Sequence, residues 1–117
     1  MHMRDFSKIN EKRCVVGFNH QIVDWSLSDW MTATAGELGE AANIIKKLNR
    51  IRDGMQRNET TKEQYNQRLK AEIADVFIYL DLLSQRAGFE LEDAVIETFN
   101  AKSRELGLPE EYIIHDR

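Results

Sequence analysis

Two long amphipathic segments dominate the pattern of hydrophobic and polar positions along the chain. Over residues 28–52 and 61–87, apolar side chains recur every three or four positions, which is the spacing of one helix face. Shorter segments of the same kind cover residues 5–17 and 90–106, while alternating β-branched stretches are few and the chain has one proline. The pattern predicts an all-α domain of four to five helices, in which the two long helices are antiparallel.

Residues suited to helix capping mark the starts of the two long helices. In the run Ser26-Leu-Ser28-Asp29, a serine hydroxyl can accept a hydrogen bond from an orphan amide, and the aspartate favours the positive helix end. Before the second long helix, Thr60 with Glu63, or Thr61 with Gln64, offers a capping box. Both helices are expected to begin at these polar residues.

The ends of the remaining elements are predicted from glycines and from the polarity of the termini. Gly54 and Gly88 are placed to end the long helices in the left-handed conformation. Residues 1–4 are interpreted as an N-terminal tail or cloning remnant, since Met3 could be the natural start, and residues 110–117 as an extended C-terminal tail. On the predicted first helix, one face is expected to carry Phe6, Ile9, Arg13 and Val16.

The composition is that of a globular domain. The 117 residues are enough for one domain with its own core, and 42% of them are hydrophobic against 31% charged. A formal net charge of −4 argues against a duplex nucleic acid partner, which requires clustered lysine and arginine. Cys14 has no second cysteine to pair with, and no stretch is apolar enough for a signal peptide or a membrane span. These features predict a single-domain protein of the reducing cytoplasm.

Two acidic pairs with three-residue spacing lie within the long helices: Glu37 with Glu40, and Glu72 with Asp75. Side chains three apart share a helix face, so antiparallel packing of the two helices would bring four carboxylates together. Either pair alone is common as solubilising charge, but both pairs border apolar stripes. Four ionised carboxylates in one cleft need protons or cations to offset their repulsion, and oxygen ligands suit Mg²⁺, Mn²⁺ or Ca²⁺. The two pairs therefore predict a divalent metal site.

The stripes that carry the acids also carry a tryptophan and two basic residues. Lys47 follows the first acidic pair and Arg68 precedes the second, which makes both candidates for contacts with an anionic substrate. Trp30 is predicted either to lie in the core or to offer a platform on which a base stacks. The connector before the first long helix holds three further rings that could close over a ligand: Phe18, His20 and Trp25.

Three motifs in a fixed order connect the chain to a known family. They are Ala35-Gly-Glu37-Leu-Gly-Glu40-Ala-Ala-Asn43, Glu72-Ile-Ala-Asp75-Val-Phe-Ile-Tyr79 and Phe99-Asn100-Ala-Lys102. Together they resemble the MazG-like family of all-α nucleoside triphosphate pyrophosphohydrolases, relatives of the dimeric dUTPases and dCTPases. The resemblance extends from about Trp30 to Pro109, which is most of the chain.

The resemblance implies hydrolysis of an NTP or dNTP to the monophosphate and pyrophosphate, with Mg²⁺, or Mn²⁺ in its place, held by the four acids. Asn100 and Lys102 match the family's downstream substrate-contacting motif, and Arg104, which shares a face with Asn100, is the alternative to Lys102. Gly36 occupies a position where some members carry a further glutamate. The number of metal ions and the catalytic base therefore stay open. The resemblance also implies a biological role, which is the removal of selected or damaged nucleotides from the cellular pool.

A homo-oligomer is the expected assembly. Helices of 25 residues span about 37 Å, which is long for a monomer of this size. The apolar residues on the two long helices exceed what the two short helices can cover. We predict a homodimer or tetramer with a four-helix-bundle core formed by two helical hairpins.

Two other readings of the acidic pairs are open. The first is a non-catalytic helical interaction or regulatory protein whose acids bind a metal ion. The second is a carboxylate-bridged di-iron bundle, which is disfavoured because neither pair is an E-x-x-H motif. The base and sugar preferences of an enzyme are not determined by this sequence.

Overall fold

The computed structural model describes residues 2–115, and this part of the chain contains helices but no strands. The all-α prediction is confirmed. In chain order the elements are helix α1 (Met3–Phe18), a 3₁₀ helix (Ile22–Asp24), α2 (Leu27–Arg52), α3 (Lys62–Ala87), α4 (Leu91–Glu105) and a second 3₁₀ helix (Glu110–Tyr112).

Capping boxes set the starts of both long helices. The Ser26 hydroxyl accepts a hydrogen bond from the backbone amide of Asp29 at 3.1 Å, and the Asp29 carboxylate accepts one from the amide of Ser26 at 3.0 Å. At α3, the second of the two predicted boxes forms, between Thr61 and Gln64. Each cap stabilises its helix by about 1 kcal/mol. The long helices therefore begin within one residue of the positions predicted from the sequence.

Helices α2 and α3 form an antiparallel hairpin that is the most extensive helix pair in the fold. Beyond the end of α2, Gly54 adopts a left-handed φ of 69° and the amide of Met55 bonds to the carbonyl of Arg50 at 2.8 Å. Gly88 ends α3 with φ 94°. Both left-handed glycines stand where the sequence predicts them, because an L side chain is disfavoured in that conformation.

Helix α1 packs against α3 through polar side chains. The Asp81 carboxyl group is fully buried and accepts hydrogen bonds from the Ser7 hydroxyl, from Asn10 Nδ2 at 2.9 Å and from Gln85 Nε2 at 3.0 Å. Asn10 Nδ2 also donates to the carbonyl of Ile78 at 3.0 Å. A buried polar group stabilises a fold only when it is satisfied, and here each partner is fixed by more than one bond.

This packing contradicts the stripe predicted for the first helix. Ile9 and Val16 lie on the predicted stripe but are 61% and 84% exposed, whereas Ser7, Asn10 and Cys14 are buried. The prediction was wrong because hydrophobic periodicity cannot identify a helix that docks through hydrogen bonds to a buried carboxyl group.

Residues within both predicted tails make specific contacts. Arg4 lies inside α1, with its Nε 2.7 Å from a Glu90 carboxylate oxygen and its Nη2 2.5 Å from one of Asp93. At the other end, Ile113 is buried, and the backbone amide of Ile114 donates to Asn100 Oδ1 at 2.7 Å. Arg4 and the residues Ile113 and Ile114 thus contact the rest of the fold, while residues 1, 116 and 117 lie outside the described part of the chain.

Within the residues described, no helix combines the length and the apolar character needed to cross a membrane.

We predict that replacing Asp81 by Ala destabilises the protein, because the buried amide groups of Asn10 and Gln85 would lose the carboxylate oxygen that accepts their hydrogen bonds. The expected loss in the free energy of unfolding is about 2–3 kcal/mol, measured by urea denaturation. Glu11→Ala, at an exposed position of α1, should change it by less than about 0.5 kcal/mol. Equal effects of the two substitutions would show that the Asp81 network does not hold α1 in place.

Candidate metal centre and adjoining cavity

The α2–α3 hairpin brings acidic side chains from both helices together. One carboxylate oxygen from each of Glu37, Glu40 and Glu72 lies within 4.8 Å of the other two. Asp75, three residues after Glu72 on α3, raises the pKa of both Glu37 and Glu72 through its charge. Antiparallel packing therefore places the two acidic pairs side by side, as the three-residue spacing predicts.

Crowding of these carboxyl groups perturbs their ionisation. Partial burial raises the pKa of Glu37 to about 7, and the charges of Glu40, Asp75 and Glu72 add to that rise. The pKa of Glu72 is also raised, first by its interaction with the side chain of Glu40. One Glu72 oxygen is buried without a hydrogen-bond partner among the described residues. A divalent cation would satisfy that oxygen and offset the repulsion, and an all-carboxylate set suits hard cations such as Mg²⁺.

A cavity of about 570 Å³ adjoins the carboxylates. Glu37 and Asp75 line it, and five rings from α1, the connector, α2 and α3 line it as well: Phe18, His20, Trp25, Trp30 and Tyr79. We call this space the aromatic cavity. Its size is within the range of small-ligand sites, and it combines an apolar lining with charged groups.

The rings of the aromatic cavity pack against one another. The Trp25 ring centroid lies 4.6 Å from that of Trp30 and 4.8 Å from that of His20. The Trp30 indole donates from Nε1 to the carbonyl of Ile22 at 2.8 Å, and Trp30 is only 2% exposed. Trp30 is therefore a core residue, which is the first of the two predicted readings. Trp25, at 36% exposure, offers the more accessible ring.

One ring nitrogen of His20 is buried without a hydrogen-bond partner among the described residues. This atom is Nε2, while Nδ1 lies 3.9 Å from a carboxylate oxygen of Asp24. A buried polar atom without a partner is costly, so a site of this kind suits a ligand that supplies the missing hydrogen bond.

Two basic residues lie on the other side of the carboxylates. Lys47 Nζ is 5.9 Å and Arg68 Cζ is 5.6 Å from the ring centroid of Tyr65, so the hairpin brings these two predicted residues together. Lys47 is seven residues beyond Glu40 along α2, which is about 10 Å of helix rise. Along the hairpin, the order is therefore aromatic cavity, carboxylates, basic pair.

The downstream motif is not brought to this site within one chain. The Asn100 side chain is buried and holds the C-terminal segment, donating to the carbonyl of Ile114 at 2.7 Å. Lys102 is exposed, with its Nζ 3.4 Å from a Glu105 oxygen. Neither residue lines the aromatic cavity or belongs to the carboxylate group, and the same holds for Arg104.

Sequence reasoning did not identify Arg13 as a residue that lines the cavity. Arg13 appeared only as part of the stripe on the first helix, whereas it lies at the aromatic cavity together with Glu37 and Asp75. No sequence signal could have placed it there, because its position depends on the buried hydrogen bonds that dock α1.

Comparison with protein families gives one assignment. The profile described as the MazG nucleotide pyrophosphohydrolase domain matches residues 26–105, which is more than half of the chain. The chain therefore belongs to the MazG nucleotide pyrophosphohydrolase family. The matched segment begins at the N-cap of α2 and ends with α4, so it contains the carboxylates and leaves out α1.

Comparisons with curated proteins and with solved structures give no significant match. Family membership indicates a nucleotide pyrophosphohydrolase, and such enzymes generally depend on a divalent metal. The carboxylate group of the hairpin is consistent with that dependence.

We predict that the metal-free protein loses stability as the pH rises from 4.5 to about 7, the window between the ordinary pKa of Glu37 and its raised value. In this window the folded chain binds a proton more tightly than the unfolded chain, so raising the pH favours unfolding. Glu37→Gln should weaken the pH dependence of the thermal midpoint, and Glu59→Gln, in the exposed loop, should not.

Added Mg²⁺ or Mn²⁺ should reverse the loss at the upper end of this window, because the ion binds the folded chain. A concentration one hundred times the Kd would add about 2.7 kcal/mol. A thermal midpoint that does not respond to either ion would contradict a metal site at these carboxylates.

Proposed function

We propose that this protein is a Mg²⁺-dependent nucleoside triphosphate pyrophosphohydrolase, with Mn²⁺ as a substitute metal, that converts an NTP or dNTP to the monophosphate and pyrophosphate. The observation that supports this proposal is the order of groups along one hairpin: aromatic cavity, four acids, basic pair. A nucleoside triphosphate has the same order of parts: an aromatic base, a reacting phosphate and a highly charged leaving group.

The four acids are the proposed metal ligands: Glu37, Glu40, Glu72 and Asp75. A triphosphate carries close to four negative charges, so bare carboxylates would repel it. Bound divalent cations would offset that repulsion, polarise the α-phosphorus and lower the pKa of a coordinated water. The proposal accounts for the raised pKa values of Glu37 and Glu72, since both are properties of a carboxylate group without its cation.

The aromatic cavity is the proposed nucleoside site. Stacking of a base on an aromatic side chain contributes about 1–3 kcal/mol, and Trp25 presents the accessible ring. The unpaired Nε2 of His20 would form a hydrogen bond with the edge of the base. With the base in this cavity, the α-phosphate lies next to Glu37 and Asp75.

Lys47 and Arg68 are proposed to bind the β- and γ-phosphates. Water attacks the α-phosphorus, the bond from that phosphorus to the bridging oxygen breaks, and pyrophosphate leaves with the electron pair. Positive charge near the bridging and terminal oxygens stabilises the charge that grows on the leaving group. The two residues lie on the side of the carboxylates opposite the cavity, which is where this leaving group would be.

A homodimer is part of the proposal, because a single chain leaves apolar faces uncovered. The exposed residues Met31, Leu38 and Ile45 are spaced by seven and so share one face of α2, and Ile73, Phe77 and Leu80 share one face of α3.

The size of the single chain supports a partner as well. The radius of gyration is 17.9 Å, whereas a compact chain of this length has about 13 Å. The accessible surface is 8426 Å², against about 6,600 Å² for a compact monomer of this mass. The difference is as large as the area that a stable interface buries. Packing of two α2–α3 hairpins into a four-helix bundle would cover both faces.

We predict pyrophosphate release from at least one member of a panel of NTPs and dNTPs in the presence of Mg²⁺, and none with EDTA. Glu40→Gln and Asp75→Asn should each lower kcat/KM by about 100-fold or more, since even residues behind a metal ligand change activity by 10–100-fold. Glu59→Gln is the matched control and should retain activity. Metal binding without release from any nucleotide would favour the non-catalytic reading.

We predict that the protein sediments with twice the mass of the chain at micromolar concentration. Leu38→Glu and Ile45→Glu should shift it to the monomer, because each buries a charge in the proposed bundle. Val16→Glu, at an exposed apolar position of α1, is the control and should leave the dimer intact. A wild-type protein that is monomeric throughout this range would exclude the assembly.

A further inference from the structure

We infer that Arg13 is a substrate-binding residue that contacts the α-phosphate of the bound nucleotide, and with it the phosphate of the monophosphate product. This inference rests on the proposed function and extends it to α1, which lies outside the segment shared with the family.

The position of Arg13 is set by the residue next to it. Cys14 is buried in the core cluster with Ile22, Trp30 and Leu82, and its Sγ donates to the carbonyl of His20 at 3.2 Å. The backbone of α1 is therefore held against the wall of the aromatic cavity. Arg13 lines the cavity from this helix.

The charge of Arg13 acts on a tyrosine of the cavity that Glu37 and Asp75 also influence. Burial raises the pKa of Tyr79, the charges of Glu37 and Asp75 raise it further, and the charge of Arg13 opposes them. Arg13, Glu37 and Asp75 line the same cavity together with Tyr79. Arg13 is the one lysine or arginine among the described residues that line this cavity.

The guanidinium group of Arg13 is available to a ligand. Among the described residues, no carboxylate lies within ion-pair distance of it and no hydrogen bond engages it. Arginine presents a planar fork of donors that matches two oxygens of a phosphate group. Arg13 lies beside a cavity that Glu37 and Asp75 also line. This combination is suited to a phosphate group that enters together with its divalent cation.

The location decides which phosphate Arg13 would meet. With the base in the aromatic cavity, the first phosphate to leave the cavity is the α-phosphate, next to Glu37 and Asp75. Lys47 and Arg68 lie on the far side of the acids, about 10 Å of helix rise beyond Glu40 in the case of Lys47. The basic residues therefore contact different parts of the substrate: Arg13 lies on the nucleoside side, and Lys47 and Arg68 lie on the pyrophosphate side.

The test compares the two products as ligands of the Mg²⁺-loaded protein. The probes are inorganic pyrophosphate and a panel of nucleoside and deoxynucleoside monophosphates, each measured by quenching of tryptophan fluorescence and, where turnover is seen, as an inhibitor. Arg13→Ala should weaken binding of the monophosphate by about tenfold, the effect of losing a charge-assisted hydrogen bond, and leave pyrophosphate binding unchanged. Lys47→Ala should do the opposite. Arg13→Lys should recover part of the monophosphate binding, because it keeps the charge without the fork.

Lys12→Ala, which removes the neighbouring exposed charge on α1, is the matched control and should change neither affinity. The inference is overturned if Arg13→Ala weakens the monophosphate no more than Lys12→Ala does, or if it weakens both products equally. An unchanged thermal midpoint shows that the variant is folded. Absence of turnover in the wild type would count against the proposed function, whereas the fluorescence measurement reports on Arg13 without turnover.

Discussion

Mutual repulsion among carboxyl groups on the α2–α3 hairpin is the constraint on which the rest of the structure depends. Glu37, Glu40 and Glu72 are held within a few ångströms of one another, and the hairpin must stay paired against that repulsion. The capping boxes at Ser26 and Thr61 and the apolar contacts along the hairpin offset it. Partial burial raises the pKa of Glu37 to about 7, and the charges of the neighbouring acids add to that rise. A bound cation would remove this repulsion, and its removal would contribute to the free energy of cation binding.

Helix α1 turns one side of the hairpin into a cavity. It reaches that position through the buried Asp81 network rather than through an apolar stripe, and hydrogen bonds of this kind fix a single orientation. The same orientation directs Cys14 into the core and Arg13 to the aromatic cavity. The stability of a polar contact on one face of α3 is thus linked to the shape of the proposed nucleoside site.

Residues near both termini make specific contacts, whereas the outer faces of the two long helices are exposed. Arg4 joins α1 to α4 through ion pairs, and Asn100 holds Ile114 against α4 through hydrogen bonds. Between them, the outer faces of α2 and α3 remain apolar and exposed. The proposed dimer follows from this contrast, because packing of two hairpins would cover the exposed apolar faces.

Local features of the sequence were enough to predict the helices and the acidic group. Helix starts depend on caps a few residues long, and two acids three apart share a face on any α-helix. An antiparallel hairpin with a short loop then leaves few ways to pair the two faces. For this reason the carboxylate group, and the placement of Lys47 and Arg68 on the same faces as the acids, could be predicted from the sequence alone.

The tertiary structure decided what depends on partners far apart in the chain. Trp30 lies in the core because Trp25, His20 and Ile22 fold over it, and its own position on α2 does not reveal this. Asn100 holds the C-terminal segment although its motif suggests a substrate contact. The buried carboxyl group of Asp81, about seventy residues away in the chain, determines which face of α1 packs against α3. The spacing of residues within α1 does not reveal such a distant contact.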